Sequence, residues 1–213
     1  MSSTPKTLNV TEQHQLLDAL LNKDAPHKCF RKGIRNYLIG CLMLEAGLRV
    51  GEVVALEMSH LYFAGKSVNS LVLPEKITKN HVERIVPVSS RLKAALEEYL
   101  SEHTWALDGP DPRNVFAVWP RNKPLTTRQV ERIINAAGMK ALGRPVHPHI
   151  LRHTFASKLM RVTNMRTVQE LLGHKHITST QIYTHPNEDD KKNAVERMNG
   201  NVSSSEQKVL DTL

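Results

Sequence analysis

Apolar side chains recur every three to four residues along most of the chain, the spacing that places them on one face of a helix. The first such stretch carries four leucines between residues 16 and 21, and Thr11 before them is a typical N-terminal capping residue. Gly47 follows the second stretch, as is common just beyond a helix C-terminus. Helices are therefore predicted over residues 11–22, 28–46, 89–103, 126–143, 147–161 and 164–174.

Between residues 59 and 88 the apolar period becomes that of strands. Runs of β-prone residues occupy 60–63, 68–73 and 84–88, and short polar stretches separate them. This pattern predicts one small antiparallel sheet of three strands. The fold class expected is α+β, mostly α-helical with a small three-stranded antiparallel sheet.

Composition narrows the class of protein. The 213 residues are 40% hydrophobic and 23% charged, which is ordinary for a globular chain. No apolar run reaches the ~18 residues that a membrane helix needs, and the first residues lack the order of a signal peptide. Cys29 and Cys41 are too few for a disulfide framework and too far apart for a C-x-x-C zinc site. A cytoplasmic protein is expected.

The charge is concentrated in one segment. Lys and Arg exceed Asp and Glu by 29 to 21, a net charge of +8. Residues 121–185 hold 11 basic and 2 acidic side chains (+9), against 14 and 13 in residues 1–120 and 4 and 6 in residues 186–213. Six of the eleven histidines lie in the same basic segment. The segment fits either a solvated helical face or a surface that binds nucleic acid.

Four short motifs carry candidate chemistry: GLRVGEV around Arg49, TKNHVERIVPV around Lys79, HPHILRH around His149 and Arg152, and LLGHKHITSTQIYTH from His174 to Tyr183. Together, over about residues 9–199, they resemble the tyrosine recombinase family, the phage-integrase type of DNA strand-transfer enzyme. The resemblance implies the tyrosine recombinase catalytic-domain fold. It also implies site-specific cutting and rejoining of DNA through a covalent 3′-phosphotyrosine, as in integration, excision or inversion.

The residue types suit phosphoryl transfer on a DNA diester. The transition state places added negative charge on non-bridging oxygens, which guanidinium groups stabilise by their geometry and permanent charge. Arg49 directly follows a predicted helix end, and Arg152 lies one helical turn after His149 and shares its face. The resemblance places both arginines in the phosphate clamp.

The same resemblance implies the remaining roles. Tyr183 is the nucleophile, since a tyrosine oxygen can form a covalent phosphate link and later be displaced. His149 acts as a general acid and base near the tyrosine, Lys79 protonates the leaving 5′-oxygen, and His174 hydrogen-bonds a non-bridging oxygen. The other three tyrosines, Tyr37, Tyr62 and Tyr99, lie on periodic patterns that favour packing.

Two assignments keep an alternative. Thr78 and Asn80 stand where the family usually has glycines beside its lysine, so Lys76 remains an alternative to Lys79. Glu52, one turn after Arg49, resembles a supporting carboxylate and also fits a charge on a helix surface.

The histidines also allow a metal hypothesis. His147, His149 and His153 could share a helical face, and imidazole is a common zinc ligand. However, no carboxylate or thiolate completes the set nearby in sequence, and the arginines and lysine already supply positive charge. No metal and no cofactor are expected.

The expected organisation is a leader at 1–10, a tyrosine recombinase catalytic domain at 11–199 and a flexible tail at 200–213, with no N-terminal core-binding domain. Either an excised catalytic domain or a naturally short recombinase fits it. The resemblance implies double-stranded DNA as partner and a DNA-assembled homotetramer that is weak or monomeric without DNA. Accessory DNA-bending proteins are further candidate partners. The alternatives are a non-catalytic DNA-binding regulator on the same scaffold and type IB topoisomerase-like strand relaxation.

Overall fold

Helices form most of the part of the chain that the computed structural model describes, which is residues 7–22, 27–102, 115–118 and 123–174. Within these residues the eight α-helices are α1 (Val10–Leu21), α2 (His27–Glu45), α3 (Val50–Val54), α4 (Met58–Leu61), α5 (Ser90–Glu102), α6 (Thr127–Leu142), α7 (Pro148–Val162) and α8 (Met165–Leu172). The mostly helical α+β fold expected from the sequence is confirmed. No helix in the described ranges is long and apolar enough to cross a membrane.

Helix α1 begins one residue earlier than the sequence predicts, and its cap, Asn9, lies two residues before Thr11. The side chain of Asn9 accepts a hydrogen bond from the Glu12 amide (2.8 Å), and the Glu12 carboxylate accepts one from the Asn9 amide (2.9 Å). This reciprocal pair satisfies two amides that the first turn leaves open. Thr11, which the apolar pattern suggests as the cap, therefore lies inside the helix.

The strands are short and pair in twos. Within the described residues, β1 (Tyr62–Phe63) pairs with β2 (Lys66–Ser67), β3 (Ser70–Leu73) with β4 (Arg84–Pro87), and β5 (Ala117–Val118) with β6 (Lys123–Pro124), all antiparallel.

The strand pairing differs from the single three-stranded sheet expected between residues 59 and 88. Ala64 and Gly65 both have positive φ (49° and 74°), the conformation of a two-residue hairpin turn. The chain therefore turns back at once, and Phe63 pairs with Lys66. The following strand, β3, pairs instead with β4, in a separate ladder that presents Leu71 and Leu73 to the core.

The core is built from one apolar face of each long helix together with the inner faces of β3 and β4. Tyr99 of α5 and Phe116 are among its largest buried side chains, and their rings meet edge to face with centroids 6.0 Å apart. A smaller apolar cluster between α7 and α8 centres on Phe155, Val168 and Leu172. These two cores fix the ends of α2, α7 and α8, where the candidate site lies.

Candidate active site

Arg49 is positioned by the turn that ends α2. Gly47 adopts φ +62°, and a Cβ there would lie 2.3 Å from the ring of Phe155, so the turn requires glycine. Two residues later Arg49 caps α3: its amide donates to Glu52 Oε2 (2.7 Å) and its guanidinium donates to Glu52 Oε1 (3.0 Å). The Arg49 side chain keeps 17% of its surface exposed.

Glu52 is a buried carboxylate that also binds a second arginine. Arg84, the first residue of β4, donates to both carboxylate oxygens at 2.9 and 2.6 Å, and the two side chains are only 3% and 2% exposed. Burial alone would raise the pKa of Glu52, but the hydrogen bonds from Arg84 and the nearby positive charges outweigh it and lower the pKa. Glu52 is therefore ionised and buried, which excludes the interpretation that it is a helix-surface charge.

Arg152 is held by main-chain carbonyls. It lies on the buried face of α7 and is 4% exposed. Nη1 donates to the carbonyl of Gly47, and Nη2 donates to the carbonyl of Leu172 (2.7 Å). One guanidinium thus joins the ends of α2 and α8.

His174 completes this group from the residue after the end of α8. Gly173 turns the chain there with φ +61°. The His174 amide donates to the Gln169 carbonyl (3.0 Å), and the Gln169 side-chain amide donates to the His174 carbonyl (3.1 Å). His174 Nε2 lies 3.3 Å from Nη2 of Arg152. Since a guanidinium can only donate, Nε2 is the acceptor and the network assigns the ring proton to Nδ1.

Burial and the positive charges around His174 keep its imidazole ring neutral. Its pKa is lowered to about 4, first by burial and then by the positive charges of Arg152, Arg49 and Arg84. Three guanidinium groups and one carboxylate share this cluster, which leaves it a net charge of +2. This excess has the sign that attracts a phosphodiester, whose single negative charge would neutralise half of it.

Lys79 lies in the turn between β3 and β4, where its side chain is exposed. Within the described part of the chain it forms no hydrogen bond or ion pair. Lys76, the alternative, is instead bonded to Glu57 (3.2 Å). Asn80, the residue after Lys79, donates from its side chain to the carbonyl of Gly173 (3.0 Å). This bond connects the Lys79 turn to the residue before His174.

His149 lies at the edge of the cluster, exposed in the first turn of α7. Its ring centroid is 6.4 Å from that of His153, one turn further on. The pKa of His153 is lowered by burial and then by the charges of His149 and Arg152. His149 is thereby linked to the cluster through His153, which also contributes to the lowered pKa of His174.

The predicted site residues are therefore brought together to different degrees. Arg49, Glu52, Arg152 and His174 belong to one set of charged and hydrogen-bonded contacts, Lys79 joins it through its neighbour Asn80, and His149 flanks it. Tyr183 lies outside the described residues.

Sequence reasoning missed Arg84. A charged residue at the start of a strand is ordinarily taken to face solvent, yet Arg84 faces inward in the same register as Val86. The residue types of RIVP give no signal of this, because the exposed positions of β4 are the apolar residues Ile85 and Pro87.

The fold and this cluster define the class of protein, and the sequence comparison agrees. The chain belongs to the Phage integrase family, whose sequence profile matches residues 6–190. The resemblance drawn from the four motifs is confirmed.

Individual relatives point the same way. The tyrosine recombinase XerC of Pseudomonas fluorescens strain Pf-5 is 36% identical over 183 residues, which are 85% of this chain and 56% of that protein. The chain thus spans about half the length of the curated relatives it matches. The crystal structure of XerA recombinase shares the fold with a TM-score of 0.71 at 27% identity, over 93% of this chain and 66% of that one. XerH site-specific recombinase, bound to its difH substrate, has a TM-score of 0.65 at 24% identity, over 91% and 55%.

Proposed function

We propose that this chain is the catalytic part of a site-specific DNA recombinase that cuts and rejoins strands through a 3′-phosphotyrosine formed on Tyr183. The observation that carries the proposal is the cluster of half-buried Arg49, buried Arg152 and neutral, half-buried His174, which lies with the buried carboxylate of Glu52 at converging helix ends. Such an arrangement is organised before substrate arrives, which is how preorganised donors stabilise a charged transition state. The names of the relatives support this reaction class.

The chemistry assigns one task to each group. The Tyr183 oxygen attacks the scissile phosphorus and its proton passes to His149, while the bond from phosphorus to the 5′-oxygen breaks. Lys79 gives a proton to that departing oxygen, so a free 5′-hydroxyl and a 3′-phosphotyrosyl link result. Arg49 and Arg152 stabilise the charge on the non-bridging oxygens, and His174 donates to one of them from Nδ1.

Tyr183 is supported as the nucleophile by the surroundings of the other three tyrosines. Tyr62 and Tyr99 are buried, and their hydroxyls donate to the carbonyls of Leu96 and Val115. Burial raises the pKa of both, and it raises the pKa of Tyr37 to about 12. None of these three hydroxyls is suited to attack a phosphodiester.

The proposal extends to organisation and partners. We take residues 11–199 as the catalytic domain and double-stranded DNA as the substrate, engaged by the basic segment 121–185. Strand exchange between two sites requires several protomers, so we expect a homotetramer assembled on DNA. DNA-bending proteins are proposed as accessory partners, and the cytoplasmic nucleoid as the place of action.

The test is formation of a covalent adduct. The full chain is incubated with nicked suicide duplexes that tile the DNA flanking its encoding locus, and any protein–DNA adduct is mapped by peptide mass spectrometry. We expect a 3′-phosphotyrosyl link at Tyr183, its loss in Tyr183→Phe with DNA binding retained, and its persistence in the control Tyr37→Phe. Binding without any adduct would favour the non-catalytic regulator. Relaxation of plasmids that lack a specific site would favour the topoisomerase.

A further inference from the structure

The turn that carries Lys79 is held by side chains on both sides of the lysine. Thr78 is buried, and its hydroxyl oxygen accepts from the Val82 amide (3.1 Å) while lying 3.2 Å from the carbonyl of Glu75. His81 takes positive φ (52°) to close the turn. The family usually has glycines on both sides of this lysine. In this chain hydrogen bonds fix the backbone of the turn instead.

Asn80 extends this order across the fold. Its side-chain amide donates to the carbonyl of Gly173 (3.0 Å), a contact between residues 93 positions apart. Gly173 adopts φ +61° and is packed against Arg84: a Cβ added there would lie 3.0 Å from Arg84 Cδ. The acceptor carbonyl therefore has a fixed position, immediately before His174.

We propose that Asn80 is a positioning residue for leaving-group protonation: its bond to Gly173 holds the Lys79 turn in register with His174 and Arg152. This inference rests on the proposed function, because it concerns the step assigned to Lys79. A lysine ammonium at the end of a four-carbon stem searches a large volume, and fixing its backbone reduces that search. With glycine at position 80 this bond would be lost and the backbone of the turn would have more freedom.

The reaction step separates positioning from mere stability. When the bond between phosphorus and the 5′-oxygen breaks, the alkoxide takes a proton from the Lys79 ammonium, and the resulting amine regains one from solvent. If sulfur replaces the bridging 5′-oxygen, a thiolate leaves, which needs no proton because a thiol is far more acidic than an alcohol. A defect confined to proton delivery therefore disappears with the sulfur duplex.

The experiment compares single-turnover cleavage of two nicked suicide duplexes that carry the mapped site, one with bridging oxygen and one with bridging sulfur. The variants are Asn80→Gly, which adds backbone freedom, and Asn80→Leu, which keeps the bulk of the side chain but removes the donor. Asn69→Gly is the matched control, since Asn69 is an exposed turn residue bonded to Lys93 and remote from the cluster. We expect both Asn80 variants to cleave the oxygen duplex at least about tenfold more slowly and the sulfur duplex within about threefold of wild type.

A second readout follows the bond itself without DNA. Hydrogen exchange of amides 78–82 and 173–174 is expected to accelerate together in both Asn80 variants and to stay unchanged in Asn69→Gly. Equal slowing of both duplexes, or unchanged exchange at 173–174, would overturn the positioning role while leaving the proposed function intact. If wild type cleaves neither duplex, the proposed function fails and this inference fails with it.

Discussion

At the scale of single residues, Glu52 determines how the arginines are arranged. Its two oxygens receive the guanidinium groups of Arg49 and Arg84 and the amide of Arg49. A buried carboxylate is costly unless it is paired, so each of these donors is held in place by the same charge. Glu52 thus orients Arg49 without approaching the substrate itself, and Arg84 keeps Glu52 ionised.

Removing Arg84 is expected to destabilise the fold strongly. Arg84→Met leaves a buried carboxylate with one partner fewer, and breaking such a pair costs about 3 kcal/mol of unfolding free energy. Urea denaturation measures the loss. Adding Glu52→Gln to the same chain is expected to recover part of it, because the underpaired buried carboxylate is then gone.

The matched control for that prediction is Arg166→Met. Arg166 pairs with Glu170 on an exposed helix face, where the two side chains are 76% and 65% exposed. A pair of this kind contributes about 0.5 kcal/mol or less. Equal losses in the two variants would contradict the importance of the buried pair.

His174 makes the stability of the fold depend on pH. Its pKa is about 4 in the folded chain, below the ordinary value, because burial and then Arg152 disfavour the charged ring. The unfolded chain consequently binds the proton first as pH falls, so stability present at neutral pH is lost between about pH 6.5 and 4. Urea denaturation across this range is expected to show a steeper decline for wild type than for His174→Gln. Parallel curves would contradict the shifted pKa.

At the scale of elements, the site forms where helix ends meet. Arg152 of α7 donates to the carbonyl of Gly47, just beyond α2, and to the carbonyl of Leu172 at the end of α8. Arg49 caps the start of α3. The six longer helices could be predicted from sequence because each buries one apolar face, and that periodicity is local. The short helices α3 and α4 were not predicted, and α4 overlaps the strand expected at 60–63. The pairing of the strands could not be predicted, because it depends on the backbone conformation of Ala64, a residue type that gives no turn signal.

The same limit applies to the site. The four motifs carried the identities of Arg49, Arg152 and His174, since their residue types and order are visible in the chain. The contacts of Arg84 and Asn80 join residues 32 and 93 positions apart, and no local pattern encodes such a separation. Long-range hydrogen bonds of this kind emerge only when packing fixes both ends.

Helix packing predicts opposite effects for one substitution at two glycines. In α2 a Cβ on Gly33 would lie 1.9 Å from the carbonyl oxygen of Leu21, the last residue of α1, so the two helices would have to separate. A Cβ on Gly51 in α3 meets nothing within 4 Å. Gly33→Ala is expected to lower the unfolding free energy by about 1–3 kcal/mol, and Gly51→Ala to raise it by about 0.5–1 kcal/mol. Thermal and urea denaturation check both signs, and a gain at Gly33 would contradict the close helix approach.

At the scale of the whole molecule, the excess of positive charge lies in one segment, whereas the candidate site draws residues from both parts of the chain. Residues 121–185 carry the excess of +9, whereas residues 1–120 are nearly neutral at +1 although they contribute Arg49 and Lys79. Of the eleven basic residues in the charged segment, only Arg152 belongs to the candidate site. The other ten are candidates for contact with a phosphate backbone, a kind of contact that fixes orientation without reading sequence.

DNA binding is accordingly expected to weaken steeply with salt. Each phosphate contact releases a counterion, so log Kd rises linearly with log salt concentration. For Tyr183→Phe, which separates binding from cleavage, raising NaCl from about 50 to 200 mM is expected to weaken binding at least tenfold. Fluorescence anisotropy with a labelled duplex measures the slope. A Kd that does not change with salt would contradict a binding surface made of basic side chains.

The anchoring of Arg152 has a consequence for how such a site is inherited. Two of its partners are the carbonyl groups of Gly47 and Leu172, and every amino acid carries that group. Substitution at residue 172 therefore cannot delete the acceptor, and at residue 47 glycine is required by the backbone conformation and by the nearby Phe155 ring rather than by the acceptor. The position of the Arg152 guanidinium is thus determined by the path of the main chain. The surrounding sequence can therefore diverge widely among related proteins while the guanidinium keeps its position.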